Sequence, residues 1–202
     1  MNIIVESIFP TGVMVVDNFI SSDEIDDVIA FIKLKEMHTD DCTIPKNAYS
    51  TFDGVSNIIN EISENVKTCS DLKNKIAFIL NEYSTKVLGL SEVEVSNSWA
   101  HIQHKGSYIV EHTHPNSKVS GVLYLKSDKD SNNLVFKNPN PYNKIEAPIV
   151  SNEFNYGNST FPAMPGRMLL FPSWLEHGSN HLLNESNERI MISFNSSYKV
   201  VL

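Results

Sequence analysis

The sequence of 202 residues has few cysteines, no long apolar run and no surplus of basic residues. Its two cysteines, Cys42 and Cys69, are far apart and form no CxxC pair, which argues against a disulfide scaffold or a zinc ribbon. The expected compartment is therefore a reducing cytoplasm. No stretch reaches the roughly 18 consecutive apolar residues of a transmembrane helix, and the N-terminus lacks the pattern of a signal peptide. We accordingly expect no membrane segment.

The charge balance is acidic, with 16 lysine and arginine residues against 24 aspartate and glutamate residues. Because nucleic-acid binding relies on basic surfaces with interleaved aromatic residues, this balance argues against a nucleic-acid partner, although it leaves a local basic patch open. Hydrophobic residues make up 41% of the chain and charged residues only 20%. This composition excludes global disorder. The length suits a single domain over residues 1–202, with a helical layer added to a core.

Residues 1–90 have the pattern of a short strand followed by supporting helices. The β-branched run Val13–Val16 predicts the strand, and Ser21 with Glu24 three positions later forms a capping-box pattern at a helix start. Apolar residues then recur at helical spacing up to Ile32. The same spacing predicts helices over 55–62 and 71–88. We expect all three helices to pack on a larger unit.

Residues 91–202 change to the pattern of strands. Polar and apolar residues alternate over 93–104, as in a half-buried strand. Further strand-like runs follow, separated by proline, asparagine, glycine and serine, at 108–114, 119–125, 134–137, 145–150, 167–172 and 189–200. Many short strands without helices between them predict an antiparallel jelly-roll sandwich or barrel.

Six of the seven histidines lie in the C-terminal half of the sequence. His112 and His114 are two residues apart on a predicted strand, so both imidazoles share one face and can reach one metal ion. His177 follows a very apolar strand. The alternatives are a surface histidine pair and a loop histidine beside a tryptophan. We expect His104 and His181 to be bystanders.

Arg189 opens a predicted strand on which every second residue shares its face. Ile190 and Ile192 occupy the opposite face, which is apolar and therefore a core face. The arginine face points either to solvent or into the barrel. If it is buried, Arg189 requires an anionic partner, and a carboxylate matches its planar fork best.

Three segments in this order resemble the superfamily of 2-oxoglutarate- and iron(II)-dependent oxygenases. They are HTHPNSKVSGVLYL at 112–125, PGRMLLFPSWLEH at 165–177 and ERIMISFN at 188–195. They are most similar to bacterial and phage oxygenases that share the motifs HxHPNS, SGV.YL and FPSW..H. The resemblance covers about residues 95–198, and the N-terminal segment IFPT and the helices after it resemble that family more loosely.

The resemblance implies a double-stranded β-helix, braced by helices, that holds Fe(II) at one mouth and uses 2-oxoglutarate and O2. Such an enzyme decarboxylates 2-oxoglutarate to succinate and hydroxylates a second substrate. By position, His112 and His177 are metal ligands, and His114 occupies the place of the usual carboxylate. Either His114 binds the metal or a water molecule fills that position. Arg189 matches the arginine that holds the distal carboxylate of 2-oxoglutarate.

Four other residues are candidates for cosubstrate binding, with ordinary packing inside the barrel as the alternative: Ser193, Gln103, Tyr108 and His101. The expected prime substrate is a protein side chain or a small metabolite. A homodimer through sheets or helices and a location in a bacterial cytoplasm, or in the host cytoplasm of a phage, are further expectations. Two other functions stay open, namely a non-catalytic jelly-roll module and a metal-binding jelly roll that uses no 2-oxoacid.

Overall fold

The computed structural model describes residues 1–39, 47–140 and 148–200, together with the backbone of 43–44. Within these ranges, no helix is both long enough and apolar enough to cross a membrane. The helices are α1 Ser22–Ile32, α2 Ile58–Asn65 and α3 Leu72–Glu82. The strands are β1 Met14–Val16, β2 His38–Thr39, β3 Thr43–Ile44, β4 Ala48–Ser50, β5 Val93–His104, β6 Tyr108–Ile109, β7 Val119–Lys126, β8 Leu134–Lys137, β9 Asn158–Phe161, β10 Met168–Pro172, β11 His177–Gly178 and β12 Glu188–Tyr198.

The helix boundaries follow local capping interactions. The predicted capping box of α1 is present, since Ser21 Oγ accepts from the amide of Glu24 and the Glu24 carboxylate accepts from the amide of Ser21. α2 begins three residues after the start of its apolar pattern because Asn57 caps it. The third predicted helix is shorter than expected as an α-helix. It ends at Glu82 and continues as one π-helical turn, Tyr83–Val87.

The strands form two antiparallel layers. Seven of them make a sheet in the order β1-β10-β7-β12-β5-β4-β2, and three make a smaller sheet in the order β11-β8-β9, while β3 pairs with β6. The strand predicted over 145–150 is not observed at 148–150, and residues 145–147 lie outside the described part of the chain. The run predicted over 108–114 is a strand only at Tyr108–Ile109, with an isolated bridge between His112 and His177. The remaining strand-like runs are strands over most of their lengths.

The seven-stranded sheet separates two apolar clusters. On its outer face Ile190, Ile192 and Phe194 pack with buried residues of the three helices, as their alternation predicted. On its inner face Tyr124 and Met191, among others, pack against β8 and β9 of the smaller sheet. The polar residues that share the Arg189 face of β12 therefore point between the two sheets.

Candidate metal centre

Long-range strand pairing brings three histidines together at one end of the space between the sheets. His112 and His177 exchange two backbone hydrogen bonds of 2.9 and 3.0 Å. The amide of His114 donates to the carbonyl oxygen of Ser173 at 2.9 Å, which ties the HxH segment to the chain just before His177. One candidate ligand atom from each histidine lies within 4.8 Å of the other two. Three imidazoles can thus reach a single ion.

Hydrogen bonds fix the orientation of two of these rings. Nδ1 of His112 lies 2.8 Å from the carbonyl oxygen of Val110, and Nδ1 of His177 lies 2.7 Å from that of Leu175. A carbonyl oxygen only accepts, so each Nδ1 carries the proton and each neutral ring keeps a lone pair on Nε2. The Nε2 atoms of His114 and His177 are 3.2 Å apart. Since a metal–nitrogen bond is about 2.1 Å long, two nitrogens at this separation could both bind one ion.

Burial keeps two of the histidines in the neutral form that binds metal. It lowers the pKa of His114 to about 4, assisted by the charges of His112 and His101. It lowers the pKa of His177 to about 3, assisted by His112 and His114. Metal ions bind neutral imidazole, so at neutral pH no proton has to leave these two rings before a metal binds.

These shifts predict that the metal-free protein loses stability in mild acid. Between pH 6.5 and about 4 the unfolded chain binds protons at positions 114 and 177 that the folded chain excludes, so stability falls as the pH falls. At pH 5 the penalty is about 2 kcal/mol for each histidine, at about 1.4 kcal/mol per pKa unit. Urea unfolding of metal-free protein at pH 7.5 and pH 5 measures the loss. In His114→Gln the loss should shrink by about half, and an equal loss in this variant would contradict the assignment.

Gly178 lets the His177 strand approach the segment before His112. A Cβ atom at Gly178 would lie 2.9 Å from the carbonyl oxygen of Ile109 and 3.0 Å from backbone atoms of Glu111. Any larger residue would therefore push the two histidine-bearing segments apart. Nothing in the sequence pattern alone marks this glycine, because the contact is between segments 67 to 69 residues apart.

A buried polar network lies behind His114, which the sequence reasoning did not identify. Ser120 Oγ donates to Asn195 Oδ1 at 2.8 Å, and since that uses its one proton, Ser173 Oγ donates to Ser120 Oγ at 2.8 Å. Ser173 also accepts from the amide of His114 through its carbonyl oxygen. The three polar residues belong to the segments SGV, FPSW and SFN. The presence of these polar residues in the three motif segments was the available signal.

Arg189 is buried, with 1% of its surface exposed, at another position between the sheets. Its guanidinium donates to Gln103 Oε1 and, at 3.4 Å, to Tyr124 Oη, and it lies 5.1 Å from the centre of the Tyr124 ring. Burial lowers the pKa of Arg189, yet an arginine stays protonated in proteins. Its Nε and the Nε2 of Gln103 have no partner in the described part of the chain.

The environment of Arg189 therefore lacks the anion that a buried cation requires. No carboxylate of the described residues forms an ion pair with it. A buried, unpaired charge is strongly unfavourable, and a carboxylate that accepts from the free Nε–H would compensate it. Arg189 and Gln103 could therefore bind an anionic ligand.

One cavity of about 490 Å³ connects the arginine to the histidines. Arg189, Ser193 and His101 line it together with all three candidate metal ligands. The Trp99 indole donates to His101 Nε2 at 2.5 Å. Gln103 is fully buried behind the wall, where it holds Arg189. A single ligand can reach both a metal ion and the guanidinium.

Tyr108, His104 and His181 lie outside this cavity. Tyr108 is not among the cavity-lining residues, and its ring packs against His181, with centroids 5.7 Å apart. Tyr108 and His112 would share a face only if the strand continued between them. β6 ends at Ile109, and Ile109 lines the cavity instead. His104 bonds to the carbonyl oxygen of Asn187 and His181 has a largely exposed side chain, both outside the cavity.

An antiparallel jelly roll with a histidine triad and a buried arginine facing one internal cavity is the architecture of a metalloenzyme with an anionic cosubstrate. Residues 97–195 match the family described as "Putative 2OG-Fe(II) oxygenase". This segment contains all eight candidate site residues. About half of the chain is thus similar to 2-oxoglutarate- and Fe(II)-dependent oxygenases, whose cofactors are Fe(II) and 2-oxoglutarate, and the three histidines of this segment could hold a metal ion. No curated protein matches the chain.

Solved structures of similar fold include HygX from Streptomyces hygroscopicus with nickel and 2-oxoglutarate bound. It has a TM-score of 0.65 and 11% identity, over 94% of this chain and 84% of that one. A prolyl-4-hydroxylase from Pseudomonas putida has a TM-score of 0.57 and 13% identity, over 94% of each chain. The viral collagen prolyl hydroxylase of Paramecium Bursaria Chlorella virus-1 has a TM-score of 0.53 and 17% identity, over 93% of this chain and 96% of that one. These likenesses show a double-stranded β-helix.

Proposed function

We propose that the protein is a hydroxylase that couples decarboxylation of 2-oxoglutarate to hydroxylation of a second substrate. Iron, 2-oxoglutarate and O2 together supply an oxidant, and the balanced reaction converts R–H, O2 and 2-oxoglutarate into R–OH, succinate and CO2. The observation that carries the proposal is the shared cavity, which places three imidazoles and an uncompensated guanidinium around one ligand-sized space.

Each candidate residue has a distinct role in this proposal. His112, His114 and His177 would hold the iron, with His114 as the third ligand where the family usually has a carboxylate. Arg189 would bind the distal carboxylate of 2-oxoglutarate, and Gln103 and Tyr124 would hold its guanidinium in place. Fixing both ends of the cosubstrate orients it before O2 arrives, which is a positioning contribution to catalysis. Ser193 and His101 line the same cavity and would contact the cosubstrate there.

Other features of the protein stay predictions. We propose one domain over 1–202, because the helices and the seven-stranded sheet share one apolar cluster. The family closest in motifs is proposed to be that of bacteria and phages, with a cytoplasmic location there. The prime substrate is proposed to be a protein side chain or a small metabolite, and a homodimer stays an expectation.

The alternative is a jelly roll that binds metal without turnover or without a 2-oxoacid. Two residues favour it, since His114 replaces a carboxylate and Met191 supplies no hydrogen bond next to Arg189 on its face of β12. The uncompensated Arg189 opposes the second form of this alternative, because a site without a 2-oxoacid would have no use for the buried cation.

Succinate formation tests the proposal directly. The protein is loaded anaerobically with Fe(II) and 2-oxoglutarate, the visible absorption of the combination is recorded, and O2 is then admitted. We expect an absorption band before O2 and succinate after it, even without prime substrate, at the slow rate of an uncoupled reaction. His104→Ala, outside the cavity, is the matched control and should behave as the wild type. Absence of both the band and succinate would reject an oxygenase function.

A further inference from the structure

A long groove continues from the metal centre across the surface of the smaller sheet. A small cavity lined by His112 and Thr113 shares its wall with a groove of about 1090 Å³. The shared wall consists of Lys137, Asn138, Pro139 and Trp174. The groove is larger than the roughly 300–1,000 Å³ of typical small-molecule sites. Its size and its continuity with the His112 cavity indicate a path for a large substrate.

One side of this groove is the edge of a strand that, within the described part of the chain, pairs on one side only. β9 is the last strand of its sheet, and its residues Asn158 and Ser159 line the groove. The amide of Asn138 donates to the carbonyl oxygen of Gly157. In an antiparallel pair the bonded residues alternate, so Ser159 and Phe161 bond to β8 while the backbone groups of Asn158 and Thr160 point outward. Such an edge is a template for an additional strand.

The side chains around the groove suit a polypeptide with basic residues. Phe154, Tyr156 and Trp174 expose 51%, 44% and 58% of their surfaces and offer broad apolar contacts. The described residues that line the groove and the small cavity include three carboxylates, Glu6, Glu153 and Glu176. None of them forms an ion pair within the described part of the chain.

Lys137, the one lysine or arginine among the described lining residues, is already paired. Lys137 Nζ donates to Asn180 Oδ1 and lies 3.8 Å from Glu111 Oε1. The groove therefore presents uncompensated negative charge beside aromatic surface and a row of open backbone groups. Charge complementarity steers an oppositely charged partner to such a surface.

We propose that the groove binds an extended, basic polypeptide as an added strand on β9, so that one of its side chains passes Trp174 to the metal centre. This inference rests on the proposed hydroxylase function and selects its substrate class, a protein side chain rather than a small metabolite. Backbone hydrogen bonds to Asn158 and Thr160 would supply sequence-independent affinity, and the acidic residues would select basic flanks.

Binding of labelled peptides tests the inference without turnover. Two pools of random decapeptides, one with lysine and one with glutamate at both ends, are titrated against Ni(II)- and 2-oxoglutarate-loaded protein by fluorescence polarisation. We expect the lysine pool to bind at least tenfold more tightly. Thr160→Pro removes one outward N–H without touching the β8 ladder and should weaken binding at least tenfold. Thr160→Ala, which keeps the N–H, should bind within twofold of the wild type.

Several outcomes would overturn the inference. They are no binding of either pool, tighter binding of the glutamate pool, binding of an oligosaccharide panel instead, and full binding by a folded Thr160→Pro variant. If that variant does not fold, Glu153→Lys and Trp174→Ala take its place at exposed positions, and wild-type binding by both would refute the proposal. Succinate formation without peptide binding rejects the groove alone. Peptide binding without succinate or an absorption band rejects the hydroxylase function instead.

Discussion

Replacement of His114 by alanine is expected to lower the affinity of the protein for Ni(II) or Fe(II) by about 100-fold or more, because it removes one of three ligands. Replacing even a hydrogen-bond partner of a metal ligand costs about 10–100-fold in metal affinity. The Nε2 of His114 lies 3.2 Å from that of His177. In the metal-free state the two nitrogens form a hydrogen bond if His114 carries its proton on Nε2, and otherwise their lone pairs repel each other. A metal ion held by both residues would replace this contact with two coordinate bonds.

Calorimetric titration of metal-free protein with Ni(II) measures the effect. His181→Ala is the matched control, because it removes a largely exposed imidazole outside the cavity and should leave the affinity unchanged. His114→Asp should retain strong binding, since a carboxylate is the usual ligand at this position in the family. Unchanged affinity in His114→Ala would show that water, not His114, occupies the third position.

Replacement of Arg189 by methionine is expected to have opposite effects on cosubstrate binding and on stability. Among the described residues that line the cavity, the variant loses the one arginine or lysine. Removing one partner of a buried charge pair costs about 2–5 kcal/mol, equivalent to about 30-fold to several thousand-fold in affinity for 2-oxoglutarate. In the absence of 2-oxoglutarate the same change removes an uncompensated buried charge, so the free energy of unfolding should stay the same or rise.

Two measurements separate these effects. Titration of 2-oxoglutarate into Ni(II)-loaded protein gives the affinity, and urea unfolding of ligand-free protein gives the stability. Arg189→Lys, which keeps the charge but not the planar fork, should lie between the wild type and Arg189→Met in affinity. A strongly destabilised Arg189→Met protein with unchanged 2-oxoglutarate affinity would show that the arginine is a satisfied part of the core.

Both predictions start from features that alternation and spacing define locally. A strand places every second side chain on one face, so the sequence determined that Arg189 and Ser193 point away from the Ile190 face. His112 and His114 can reach one ion as predicted, but they follow β6 and do not lie on a strand, because β6 ends at Ile109. Side-chain capping is equally local, and the Ser21–Glu24 capping box is present as predicted. The helix over 71–88 was predicted with less accuracy, because an apolar repeat does not distinguish an α-helical turn from the π-helical turn at Tyr83–Val87.

The tertiary structure decided which of these faces meet. β12 lies between β5 and β7, so Gln103 and Tyr124 become protein partners of Arg189. The sequence had predicted only an anionic partner for this arginine, which the family resemblance identified as the distal carboxylate of 2-oxoglutarate. The Ser120–Ser173–Asn195 network and the close approach at Gly178 likewise depend on strands distant in the chain.

The sequence by itself determined the order of the motifs, the polarity of each strand face and the residue types of the site. Only the tertiary structure decided that the histidines and Arg189 face one cavity, that Tyr108 lies outside it, and that no carboxylate of the described residues neutralises Arg189. The physical reason is the range of the interactions. Side-chain direction follows from the backbone conformation of a few neighbouring residues, whereas contacts between strands depend on pairings that span the whole chain.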